Sequence, residues 1–356
     1  MTGMPQYPEL DTPCAVVDLD IVDRNIESYQ AYCDKHGIGL RPHIKTHKIP
    51  AFAAQQMKAG AIGITCQKIG EAEVMADAGL DDILLTYNVL GERKLARLRA
   101  LFDRIKSLRV VADNAVVVEG LSRAFADSAK PLEILIECDT GGGRCGVQNP
   151  AESVELAKKI QSLPGVKFIG LMTYPATGGG AKVEAFFTSA MKELDASGLE
   201  CPVRSSGGTP DMWLAHEVPS VTEHRIGTYI YNDRSLMARG VCKEDDCALR
   251  VLTEIVSLPT PGRAIIDAGS KVLTSDLLGL DGYGYVVGHP DVAVKALSEE
   301  HGILYFDPAT KPFEIGQRIE IIPNHVCVVS NMLDQVHLVR NGDIETVDVA
   351  ARGCVL

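Results

Sequence analysis

Gly39-Leu40-Arg41-Pro42-His43-Ile44-Lys45-Thr46-His47-Lys48 is the stretch on which the fold turns. A short apolar start leads into eight residues holding one arginine, two lysines and two histidines, and helical patterning follows over 48–59. Strand, polar turn and helix make one β/α unit. Pro42 disfavours helix at Arg41, so the strand is expected to run on through the motif. Alternation then puts His43, Lys45 and His47 on one face, with Arg41 in the same set. In a barrel that face lies near the C-terminal mouth, where such enzymes keep their chemistry. Desolvation there would lower a lysine's pKa and make it a nucleophile. A solvated basic loop is the competing reading of the same residues.

Outward from this unit the pattern repeats. Apolar runs at 62–66, 83–87, 108–112, 132–138, 167–173 and 203–205 alternate with amphipathic stretches at 21–35, 68–78, 116–129, 150–162 and 181–197. Seven or eight units at roughly 25-residue spacing predict a parallel sheet closed into a (β/α)8 TIM-like barrel. An open doubly wound sheet competes, because alternation does not decide closure. After about residue 236 short strands at 248–258, 263–267, 282–287, 302–306, 318–322, 335–339 and 344–349 are joined by Gly, Pro and Asp turns. They predict a mainly antiparallel β domain that also takes the Val-rich run 13–17. The expected division is 1–19 as a strand joining the β domain, 20–235 as the barrel and 236–356 as the β domain.

Composition sets the bounds. The chain has 356 residues, 46% of them hydrophobic, and a net charge of -12, which disfavours a nucleic-acid backbone as partner. No apolar run reaches the ~20 residues of a membrane span. Met1–Pro8 lacks the basic and apolar regions of a secretory signal. The ten cysteines include no CxxC pair, which argues for buried thiols in a reduced cytoplasm.

Four further runs carry candidate chemistry. Glu137-Cys-Asp-Thr-Gly-Gly-Gly-Arg144 follows an apolar strand, and its glycines free the backbone while Arg144 offers a fork of donors. Gly207-Gly208-Thr209 and Gly227-Thr228-Tyr229 stand at successive strand ends in the last units, where barrel phosphate sites gather. Plain glycine turns are the alternative for each. In Pro323-Asn324-His325-Val326-Cys327 the His and Cys would share one face of a strand, and imidazole with thiolate favours zinc. A packed histidine beside a buried thiol is the commoner reading of that spacing.

Taken together, the Arg-Pro-His-x-Lys-Thr-His-Lys run and the late Pro-Asn-His-x-Cys resemble the D-threonine aldolase and D-serine dehydratase family of fold-type III pyridoxal phosphate enzymes. The resemblance covers nearly the whole chain, its barrel being similar to that of alanine racemases. It implies Lys45, not Lys48, as the Schiff-base lysine, and Arg144 beside the cofactor's phenolic oxygen. It further implies Gly208, Thr209, Gly227 and Thr228 as the phosphate cradle, His43 and Tyr229 as cofactor contacts, and Tyr174 as an active-site tyrosine. His325 and Cys327 become ligands of a divalent ion, zinc or else manganese or magnesium. Asp267-Ala-Gly-Ser-Lys271, Asp276 and Glu299–Gly302 also match family patterns.

The activity implied by this resemblance is that of a lyase of β-hydroxy-D-amino acids, with retro-aldol cleavage to glycine and an aldehyde as the leading reading. Dehydration to a 2-oxo acid and ammonia is the alternative, because His-x-Cys is the dehydratases' pair and residues 177–182 lack the histidine of aldolases. That gap leaves His47 or a metal-held hydroxide to handle the hydroxyl proton. An amino-acid racemase is a further alternative, and a non-catalytic cofactor carrier is disfavoured by the β domain. The resemblance also implies a homodimer.

Overall fold

The structure, a computed structural model, describes residues 7–356; the absence of a signal over the first six lies outside the described residues. Two compact units make up the chain. One consists of Glu27–Lys45, Ile49–Gly227 and Cys354–Leu356; the other of the segment through Ile26, Thr46–Lys48 and Thr228–Gly353.

In chain order the strands open with β1 (Cys14–Asp18), which belongs to the second unit. The first unit holds β2 (Gly39–Leu40), β3 (Ile64–Cys66), β4 (Asp82–Leu85), β5 (Ser107–Ala112), β6 (Leu132–Cys138), β7 (Val166–Thr173), β8 (Val203–Gly207) and β9 (Glu223–Arg225). Helices alternate with them: α1 (Leu19–His36), α2 (Pro50–Ala59), α3 (Ile69–Asp77), α4 (Glu92–Arg104), α5 (Ala115–Phe125), α6 (Pro150–Gln161) and α7 (Gly180–Ala196). Their starts are written in the sequence. Asn114 and Asn149 cap α5 and α6 by accepting from Val117 N and Glu152 N, and Pro50 and Pro150 stand in first turns, where no N–H is needed.

All eight strands are parallel, in the order β2-β9-β8-β7-β6-β5-β4-β3. Their apolar runs pack sideways as a layer of Leu84, Val111, Leu135, Ile169, Met172 and Val203. Gly170 in β7 is required, since a Cβ there would collide with the carbonyl of Val203 on β8. The two ends of this order also meet. His43 bridges Thr65, Ile62 N donates to Leu40 O (2.9 Å), and Thr65 N donates to Pro42 O (2.8 Å). The sheet is therefore a closed (β/α)8 barrel, and the open doubly wound alternative is excluded.

Extended backbone goes no further than that bridge. Ile44–Thr46 forms one 3-10 turn, so the expected alternation of His43, Lys45 and His47 on one strand face does not occur. Arg41 also leaves the expected set. Its fully buried guanidinium pairs with Asp82 (2.6 Å) and Glu223 (3.2 Å), the first residues of β4 and β9. A buried guanidinium needs carboxylates on its donors, and these lie at the strands' N-terminal ends.

The second unit continues with β10 (Leu249–Thr260), β11 (Arg263–Ile266), β12 (Gly284–Val286), β13 (Ala293–Leu297), β14 (Gly302–Tyr305), β15 (Arg318–Pro323), β16 (Gln335–Arg340) and β17 (Asp343–Asp348). Short helices α8 (Arg234–Ala238), α9 (Ser270–Leu273) and α10 (Val326–Met332) punctuate them. β10, β11, β14, β13, β12 and β15 close an antiparallel barrel, because β10 is long enough to pair with both β15 and β11. β1 continues the sheet from β10, followed by β16 and β17, and Leu10, Val16, Leu252 and Val339 pack on this extension. Among the described residues no helix is long and apolar enough to cross a membrane.

Candidate active site

The 3-10 turn after β2 holds Lys45 within the first unit, half-buried. Its backbone N–H donates to His43 Nδ1 (3.3 Å), while His43 Nε2 lies 3.2 Å from Gln67 Oε1. Gln67 is fixed in turn by donating to Thr86 O (3.0 Å). No hydrogen bond or ion pair reaches Lys45 Nζ among the described residues, so the amine is available. Lys48 differs. In the second unit its buried Nζ donates to Ala351 O (3.4 Å), and its own carbonyl accepts from Ala351 N (3.0 Å).

At the end of β6, buried Glu137 faces Arg144 (3.5 Å), whose guanidinium lies 4.8 Å from the centre of the Tyr174 ring. Burial raises Glu137 above the usual carboxylate range, against the pull of Arg144 and Arg225. Arg225, on β9, donates to Thr173 O (2.7 Å) and to Ser205 Oγ, and burial draws its guanidinium down to about 10. The glycine triplet is no anion cradle by itself. Gly141 and Gly143 donate their N–H groups to Asp139 Oδ1 (2.8 and 3.1 Å), which shapes the loop that presents Arg144.

β8 and β9 are neighbours, and Gly208 N donates to Arg225 O (3.2 Å), so the runs after them leave adjacent strand ends. Thr209 opens a 3-10 helix, Thr209–Glu217, whose first N–H groups have no acceptor within it. The Thr209 hydroxyl, in a residue 6% exposed, has no hydrogen-bond partner among the described residues. Thr228 and buried Tyr229 follow Gly227 in a second such turn, Thr228–Ile230. A free primary amine, an orphan hydroxyl beside free N–H groups and an exposed arginine are the donors a phosphorylated pyridine aldehyde calls for. The residues present fit pyridoxal phosphate.

In the second unit the expected His-x-Cys strand is a strand-to-helix junction. β15 ends at Pro323, His325 is the extended residue that precedes α10, and Cys327 lies in the first turn of α10. Asn324 fixes the junction by donating to Gly282 O (2.8 Å) and Asp276 O (3.0 Å) and accepting from Arg234 (2.9 Å). His325 Nδ1 donates to Asp233 Oδ2 (2.8 Å), and its ring also hydrogen-bonds Cys327. Burial disfavours the imidazolium, but Cys327 and Asp233 outweigh it and push His325 up to about 11. Cys327 Sγ lies 3.2 Å from Thr46 Oγ1 and 3.9 Å from Thr228 Oγ1. Imidazole plus thiol suits a borderline-soft divalent ion such as zinc. Among the described residues no group of three or more His, Cys, Asp or Glu side chains could hold a metal, so the pair is a two-ligand site at most.

The remaining expected residues separate by role. His47 is fully buried in the second unit, and Tyr174 is half exposed at the end of β7. Asp267 is structural, accepting from Thr12 Oγ1 and Thr253 Oγ1 at 2.5 Å each. Lys271 pairs with Glu299 and Glu300, and His301 is exposed. Sequence reasoning passed over Thr46, Asp233, Gln67 and Arg225. Arg225 lies two residues before the Gly227-Thr228-Tyr229 run, with no local signal of its own, and Asp233 carries a helix-capping signal that says nothing of His325, 92 positions away.

Comparison with known proteins gives the family and the fold. Residues 17–235 match the family model described as "Alanine racemase, N-terminal domain", and 248–339 match a serine dehydratase domain. A D-threonine aldolase from an Arthrobacter species is 33% identical over 97% of this chain and 93% of its own. The crystal structure of D-threonine aldolase from Filomicrobium marinum superposes with a TM-score of 0.90 at 32% identity, covering 98% of both chains. That of the D-threo-3-hydroxyaspartate dehydratase from a Delftia species gives 0.86 at 32% identity, over 95% of this chain and 97% of that one. The chain therefore belongs to the D-threonine aldolase and D-serine dehydratase family of alanine-racemase-like, fold-type III pyridoxal phosphate lyases.

Proposed function

We propose that this protein is a pyridoxal phosphate- and divalent-metal-dependent lyase that cleaves Cα–Cβ of β-hydroxy-D-amino acids, giving glycine and an aldehyde. One observation carries the metal dependence: Thr46, the residue after Lys45, has its hydroxyl 3.2 Å from Cys327 Sγ. The amine that would hold the cofactor is thus one residue along the chain from a contact of the thiol that would hold the ion. We assign cofactor binding to 20–235 and the metal pair to 236–356.

Bound at this site, the cofactor supplies an electron sink for the bond broken at Cα. Lys45 would hold it through Nζ, with Arg144 toward its phenolic oxygen and His43 and Tyr229 as further contacts. Thr209, Gly227 and Thr228 would hold the phosphate through N–H groups and hydroxyls, with Gly208 letting it come close to the backbone. Tyr174, against Arg144, would orient the substrate, and a divalent ion on His325 and Cys327 would supply Lewis acidity toward the β-hydroxyl. His47 is the residue we assign to that hydroxyl's proton.

A second reading, dehydration to a 2-oxo acid and ammonia, has its own support. Cysteine rather than aspartate stands two residues after His325, and 177–182 contain no histidine. Incubation with D-threonine and D-serine, with and without EDTA and added Mn²⁺ or Zn²⁺, separates the readings. Glycine plus acetaldehyde is the expected result, whereas pyruvate or 2-oxobutyrate with ammonia assigns the dehydratase. Racemisation of an unhydroxylated D-amino acid, undiminished by chelation, assigns a racemase. We also propose a homodimer, tested by light scattering, and a cytoplasmic location, which ten cysteines outside any disulfide support.

A further inference from the structure

We propose that Asp233 is a positioning residue that locks His325 in the tautomer able to bind a metal through Nε2. The inference rests on the metal reading above and concerns a residue outside the His325–Cys327 pair.

Asp233 sits just before α8 and is fully buried. Each of its oxygens has two donors. Oδ1 accepts from Ser235 Oγ (2.6 Å) and Leu236 N (3.1 Å); Oδ2 accepts from His325 Nδ1 (2.8 Å) and Val326 N (3.4 Å). Two of the four are backbone N–H groups, which can only donate, so the carboxyl is surrounded as an acceptor. When a metal displaces the ring's second proton, Nδ1 must keep its own against the carboxylate, and the lone pair falls to Nε2. A carboxylate behind a ligating imidazole fixes both its ring plane and its tautomer, and raises its basicity.

Four acceptor bonds explain why the residue is aspartate. Asparagine at this position would be nearly isosteric, but its one oxygen cannot serve both sides. Turned to α8, it keeps the helix cap and sets an NH₂ against Nδ1, which favours the tautomer with the proton on Nε2. Turned to His325, it sets the NH₂ against Leu236 N and loses the cap.

The test uses EDTA-treated, cofactor-loaded protein titrated with Zn²⁺ by calorimetry. Asp233→Asn is expected to weaken Zn²⁺ binding by about 10–100-fold, with the cofactor's visible band intact. Ser235→Ala removes a bond to Oδ1, the oxygen not used by His325, and should leave the affinity within about twofold while lowering the urea midpoint. Asp233→Asn binding as tightly as wild type would overturn the inference and leave the metal reading standing. Absence of Zn²⁺ binding by wild type would overturn both. Should Asp233→Asn fail to fold, ¹⁵N spectra of the zinc-loaded wild type decide. Zinc on Nε2 with the proton on Nδ1 supports the assignment, and the reverse overturns it.

Discussion

Lys45 and Lys48 are three positions apart and meet opposite surroundings. The Lys45 amine is left without a partner among the described residues, whereas Lys48 Nζ is tied to a carbonyl and its φ of 56° lies in the left-handed region. Lys45→Ala should remove the visible band of the lysine-bound cofactor, and Lys48→Ala should keep it while losing about 1 kcal/mol in urea unfolding. The reverse spectra would mean that Lys48 carries the cofactor. Spacing alone did not separate these two amines, because both stand in one basic run and differ only through contacts made far along the chain.

At the scale of the element, β9 shows what short motifs conceal. Glu223 and Arg225 point to one side, toward Arg41 and Ser205, and His224 points to the other, toward Tyr29. Arg41→Met leaves Glu223 buried without its main counter-charge and should cost about 3–5 kcal/mol in urea unfolding. His224 titrates differently. Burial, then the nearby Arg225, depress it from 6.5 to about 3, so the folded state holds the ring neutral. The unfolded chain takes up that proton first. Stability from this group is complete above about pH 6.5 and is lost as pH falls toward about 3, at up to ~1.4 kcal/mol per pH unit. His224→Gln should flatten the slope between about pH 6.5 and 5.5, above the range where carboxylates titrate. An unchanged slope there would show that His224 is not the group responsible.

For the molecule as a whole, a cofactor bound only by the folded chain raises stability by mass action. At a free concentration of about 100 times Kd the gain is about 2.7 kcal/mol. Stripping it with hydroxylamine should lower Tm by a few degrees, and added pyridoxal phosphate should restore it; an unmoved Tm in scanning calorimetry would contradict a specific site. Closure of the barrel also belongs to this scale. Alternating runs such as 132–138 and 150–162 announced parallel β/α units, since strands covered on both faces read as continuous apolar sequence. They could not announce the bond from Thr65 N to Pro42 O that joins the two ends of the strand order.

Residue order alone was enough for the β/α alternation, the change to short turn-linked strands after residue 236, and a family resemblance read from two unusual runs, 41–48 and 323–327. These are local properties: periodicity, proline and glycine placement, and side-chain chemistry within a few residues. Folding in three dimensions was needed to make Arg41 an ion-pair anchor, to bring Thr46 to Cys327, and to stand Asp233 behind His325. Each depends on atoms more than forty positions apart, brought together by the burial of groups that carry no pattern of their own. Lys45 stands out in the sequence through its motif, and in the structure its amine has no partner among the described residues.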